Sequence, residues 1–94
     1  MVAITALGQK VRELRVLRGI TQQRLAERAE VGHSLIVALE SGRRRYVSEQ
    51  DVERLAKGLG VRSDDLWRLI PGGRQRGRYI PIAEAPTSRS VEAA

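Results

Sequence analysis

Arg43, Arg44 and Arg45 stand side by side in a 94-residue chain whose 17 Lys and Arg outnumber its 11 Asp and Glu. A formal charge of +6 and an isoelectric point near 11.0 favour a polyanionic partner, either nucleic acid or an acidic membrane surface. A run of like charge is also an ordinary solvated loop, so the scaffold around it has to decide its role. Other chemistry is scarce. The chain has no cysteine and one histidine, His33, which excludes a disulfide framework, a thiolate zinc site and a His-ligated metal cluster. Glu30 and Glu40, the carboxylates flanking His33, lie on different faces of the helical pattern and cannot both tune it. Neither a nucleophile–base pair nor a glycine-rich phosphate loop is visible, so no catalysis and no cofactor are expected.

The elements that must position the arginines are helices. Leu7, Val11, Leu14 and Leu17 recur at helical spacing, with Thr5 as N-cap and Gly19 as stop. Thr21 opens a second helix with Leu25, Ala26 and Ala29 inward, and Val31-Gly32 breaks it. Leu35, Ile36 and Leu39 form the inner face of a third helix, which Ser41-Gly42 ends. Residues 43–47 keep neither period and are expected to be a loop. Ser48 and Asp51 have the spacing of a capping box and start a fourth helix carrying Val52, Leu55, Ala56 and Leu59, with Gly60 as its stop. Ser63-Asp64-Asp65 begins a short fifth helix with Leu66, Leu69 and Ile70. Helices this short do not hold alone in water; the second and third must brace each other, with Ala26 and Ala29 supplying small residues where they cross.

The expected fold is therefore all-α: a compact five-helix domain over residues 1–70 and a Gly/Pro/Arg-rich tail over 71–94. The tail has one apolar island, Tyr79-Ile80-Pro81-Ile82. A mobile tail is the main expectation. The alternative is an edge strand crossing a dimer contact, since Pro81 is tolerated only at an edge. The opening MVAITALGQK lacks the apolar run and cleavage site of a signal peptide, and no stretch approaches the roughly 20 apolar residues that span a bilayer. A cytoplasmic protein without membrane attachment is expected.

The stretch LRVLRGITQQRLAERAEVGHSLIVALESGRR resembles the phage repressor and Cro family of helix-turn-helix regulators, often called the XRE family. The matching residues include Thr21-Gln22, Leu25-Ala26, Ile36, Glu40 and Gly42, and LAKGLGVRSDDLWRL resembles the family's closing helices. The resemblance implies a DNA-binding regulator whose third helix enters the major groove. It implies that Gln22, with Gln23 beside it, meets a phosphate at a helix N-terminus, and that Arg43, Arg44 and Arg45 run along the backbone. Arg15 and Glu40 correspond to a structural ion pair. Base contacts fall to Gly32, His33, Ser34, Val37 and Ala38. None of these is the Arg, Gln or Asn whose forked groups read guanine or adenine; His33 and Ser34 offer single hydrogen bonds, Val37 and Ala38 apolar contact with thymine methyls.

Two positions depart from the family pattern. Glu30 takes a turn position usually held by Gly, at a strain of about 1 kcal/mol, and Gly32 replaces a Ser or Thr N-cap. The expected partner is double-stranded DNA, bound by a homodimer, most simply as a repressor. A competing reading keeps the fold and docks a protein, as in an antitoxin or transcription-complex adaptor, on a patch of Leu35, Val37 and Ala38, with the tail as a second arm.

Overall fold

Thr5, Thr21 and Ser48 each leave the chain extended and turn a side-chain oxygen onto an amide three residues ahead. Gly8, Arg24 and Asp51 donate those bonds, each at 3.0 Å. In the computed structural model, which describes residues 4–83, these caps start α1 (Ala6–Leu17), α2 (Gln22–Ala29) and α4 (Glu49–Leu59). Asp51 returns a bond from its carboxylate to the Ser48 amide, completing the capping box. Between them lies α3 (His33–Ser41), and after them a single turn and a half, α5 (Ser63–Trp67). Gly42 and Gly60 close α3 and α4 in the left-handed conformation, as the stops require.

The core is one cluster fed by all five helices, among them Leu7, Val11, Leu25, Ile36, Leu39 and Leu55. Helix α2 packs on α3 and α4, α1 on α3, and α5 on α4. Two glycines inside helices set how closely they cross. A Cβ on Gly8 would collide with the carbonyl oxygen of Leu39, and one on Gly58 would stand 2.7 Å from the Cβ of Ala29. Ala29 thus serves the α2–α4 crossing, whereas the sequence had suggested the α2–α3 contact. Leu17 was expected inside but is 79% exposed. At about 100° per residue it has rotated roughly 80° off the stripe that begins at Leu7.

The largest correction concerns residues 71–83, expected as part of a tail. They fold back onto the core. Tyr46–Val47 (β1) pairs antiparallel with Ile80–Pro81 (β2), Tyr46 opposite Pro81 and Val47 opposite Ile80. The Ile82 amide adds a bond to the Arg45 carbonyl at 3.0 Å. Ile80 and Ile82 are buried in the same cluster as the helices, while Pro81 faces outward. The edge strand is therefore real, but its partner is the loop after α3 in the same chain. Arg74 anchors the approach: it lies over the Trp67 ring at 5.5 Å and reaches Asp64 at 2.6 Å and Glu53 at 3.4 Å. Its hydrogen bond holds the Asp64 carboxyl below the usual carboxylate range. The rest of the expected tail, residues 84–94, lies outside the described residues.

Candidate nucleic-acid interface

Helix α3 is held from behind and left open in front. Leu35, Ile36 and Leu39 are buried against α1 and α2, while Gly32, His33 and Ser34 are exposed and Val37 and Ala38 half-buried. The face offered to a groove is thus mostly the helix's first turn. The turn before it is as the sequence suggested: Glu30 caps α2 at φ 60°, ψ 42°, and Gly32 starts α3 with no side-chain cap bond. Arg54 donates to the Glu30 carbonyl at 3.2 Å, tying this strained corner to α4.

The rear of α3 is fixed by charge. Arg15 grips Glu40 with two parallel bonds, Nε to Oε2 at 2.7 Å and Nη2 to Oε1 at 2.9 Å, and its Nη1 donates to the Ile20 carbonyl at 2.8 Å. The two side chains are 15% and 5% exposed. The hydrogen bond to Glu40 raises the Arg15 pKa above its ordinary value against the opposing effect of burial. One residue joins this cluster that the sequence did not place there. Gln22 Nε2 donates to Glu40 Oε1 at 3.1 Å, so its amide is held in place at the head of α2. Its second amide hydrogen and carbonyl oxygen remain for another partner. Gln23 is exposed beside it. Only the contact eighteen residues along the chain reveals the cluster, and no local pattern encodes it.

The arginines leave α3 through a tight turn. Gly42 reverses the backbone at φ 86°, and the amides of Arg43 and Arg44 both return to the Ala38 carbonyl, at 3.0 and 3.1 Å. Arg43 Nε bonds Ser41 Oγ at 3.3 Å, and Arg44 Nε bonds the Tyr46 carbonyl at 2.8 Å. These bonds engage each Nε and, among the described residues, leave the terminal nitrogens without a hydrogen-bond partner. All three arginines are exposed, and among the described residues none has a carboxylate within 4.0 Å. Also among the described residues, no group of His, Cys, Asp and Glu is placed to hold a metal, and no helix is long and apolar enough to cross a membrane.

Two short helices braced at a left-handed corner, the second exposing its first turn and leading at its far end into a cationic loop, make a helix-turn-helix. The helix-turn-helix domain family matches residues 6–69, and the chain belongs to it. The repressor/Cro-like resemblance is thereby borne out, and with it a DNA-binding regulator of transcription. Control protein C.BamHI from Bacillus amyloliquefaciens is 37% identical over 60 residues, which span 63% of this chain and 73% of that protein. The restriction-modification controller protein C.AhdI from Aeromonas hydrophila superposes with a TM-score of 0.61 at 32% identity, over 67% of this chain and 94% of its own. A hypothetical transcription factor, NHTF from Neisseria, covers 96% of this chain and 83% of its own with a TM-score of 0.61. At 21% identity that likeness concerns the fold alone.

Proposed function

We propose that this protein is a sequence-specific repressor that binds duplex DNA as a homodimer, with α3 of each copy in successive major grooves about 34 Å apart. The observation that carries the reading is α3 itself, with an exposed first turn at one end and, after its last turn, three exposed arginines that have no carboxylate partner among the described residues. In it, Arg43, Arg44, Arg45, Gln22 and Gln23 hold the phosphates, while His33, Ser34, Val37, Ala38 and the Gly32 backbone face the bases. With so few forked side chains on α3, part of the selectivity falls to DNA shape. C.AhdI is named as a controller of restriction-modification, and the promoter of such a gene set is the first natural target to test.

The competing reading, a protein docked on Leu35, Val37 and Ala38, loses its central residue. Leu35 is only 8% exposed and belongs to the core. Its second element, an arm built from the tail, loses residues 71–83, which pack onto the core.

Selection of bound duplexes from a random pool tests the proposal. Enrichment of a near-palindromic site, with a dimer in sedimentation and a shifted preference for His33→Ala, is the expected result. Binding without enrichment removes the base contacts; no binding removes the DNA partner.

A further inference from the structure

We propose that the fold-back segment after α5 carries a second set of duplex contacts, in which Arg78 and Tyr79 join Arg43, Arg44 and Arg45 to clasp the sugar-phosphate backbone beside α3. The inference rests on the DNA-binding reading above and extends it to residues outside the family match, which ends at residue 69.

The geometry starts from a cleft of about 390 Å³ at the C-terminal end of α3. It is lined by Ala38, the three loop arginines, Tyr46, Arg78 and Tyr79. Four arginines therefore line one concavity, Arg45 also bordering the cleft beside Thr5 and Gln9. Among the described residues none of the four has an ion-pair partner, whereas Arg15 and Arg74 do. Gathering four unpaired cations raises their mutual repulsion in the free protein, a cost that a polyanion with closely spaced charges relieves. Carboxylates do occur nearby. Glu49 and Asp51 line the adjoining surface with Arg78 and Tyr79, but Asp51 is engaged in the Ser48 cap.

The two new residues are also held for the purpose. The Gly77 carbonyl accepts the Glu49 amide at 2.9 Å, and Ile80 is buried opposite Val47. Arg78 and Tyr79 are thus an exposed pair pinned on both sides, with Tyr79 80% accessible. A side chain presented from a fixed backbone loses less freedom on binding than one on a loose arm. Arg78 supplies charge to a phosphate. Tyr79 supplies a hydroxyl to a phosphate oxygen and a ring face to the adjacent deoxyribose.

The experiment is duplex binding by the full chain across a salt series, with Arg43→Ala and Arg12→Ala as references. Arg12 is exposed on α1 and lines a different groove. Arg78→Ala is expected to reduce the slope of log K against log salt by about one unit per copy, about two for the bound dimer, and Arg43→Ala is expected to do the same. Arg78→Lys is expected to keep the slope. Tyr79→Phe is expected to weaken binding by about threefold to tenfold with the slope unchanged, and Arg12→Ala to leave the slope as it is. Each variant is checked for an unaltered melting curve. Arg78→Ala and Tyr79→Ala binding like the unmodified chain while Arg43→Ala weakens would overturn this inference and leave the DNA-binding reading standing. Loss of the dimer in Tyr79→Ala, with the DNA slope intact, would reassign the cleft to an interface between copies and also overturn it. Failure of the unmodified chain to bind any duplex would remove both readings.

Discussion

Glu40 shows how one carboxylate can tie three helices together. It is nearly enclosed, yet it accepts two bonds from Arg15 and one from Gln22, and among the described residues no buried side-chain polar atom lacks a partner. The pair joins α1 to the far end of α3, and Gln22 adds the head of α2, so three helices meet at one ion. An ion pair of this kind is a poor source of net stability but is costly to break from one side. Arg15→Ala leaves Glu40 buried with only the Gln22 amide, and a loss of about 3–5 kcal/mol is expected. Urea denaturation measures it. A double variant, Arg15→Ala with Glu40→Ala, is expected to recover part of that loss; equal losses for the single and double variants would show that the charge left behind is not the cause.

At the scale of elements, the legible features were those with local causes. The caps at Thr5, Thr21 and Ser48 and the stops at Gly42 and Gly60 follow from side chains and backbone freedom within a few residues. The corner at Glu30 followed from a family pattern rather than from propensity, because a Glu with positive φ is disfavoured on its own terms. Close crossings were not legible, since Gly8 and Gly58 look like flaws in otherwise regular helices until the opposing backbone is seen. Gly58→Ala separates the two views. Helix propensity alone predicts a gain of about 1 kcal/mol, whereas crowding against Ala29 predicts a loss of about 1–3 kcal/mol. The geometry at 2.7 Å involves the Ala29 backbone as well as its methyl, so the neighbour cannot swing aside. A lower melting temperature is expected; a higher one would mean that α2 and α4 separate freely at this point.

The whole molecule depends on the contact that the sequence concealed most thoroughly. Two-residue strands leave almost no alternation to read, and β1 and β2 are separated by the entire α4–α5 unit. Proline and glycine on either side make residues 71–83 look like a linker. What the composition hides, burial reveals: Ile80 and Ile82 close the side of the core beside Val47, and Arg74 covers Trp67. Each isoleucine taken out of water stabilises the fold by about 1.5–3 kcal/mol, against a total stability of about 5–15 kcal/mol for a small domain. A chain ending at Ile70 is therefore expected to lose about 3–6 kcal/mol, contrary to the independent five-helix domain that the sequence suggested. Ile82→Ala in the full chain isolates one part of this, with an expected loss of about 2–5 kcal/mol. Urea unfolding followed by circular dichroism, at matched protein concentration, reads both. Lowered midpoints for both variants would make the fold-back part of the cooperative unit, and an unchanged midpoint for the chain ending at Ile70 would make it an appendage, because exposure of the Val47 side of the core cannot leave a domain this small equally stable.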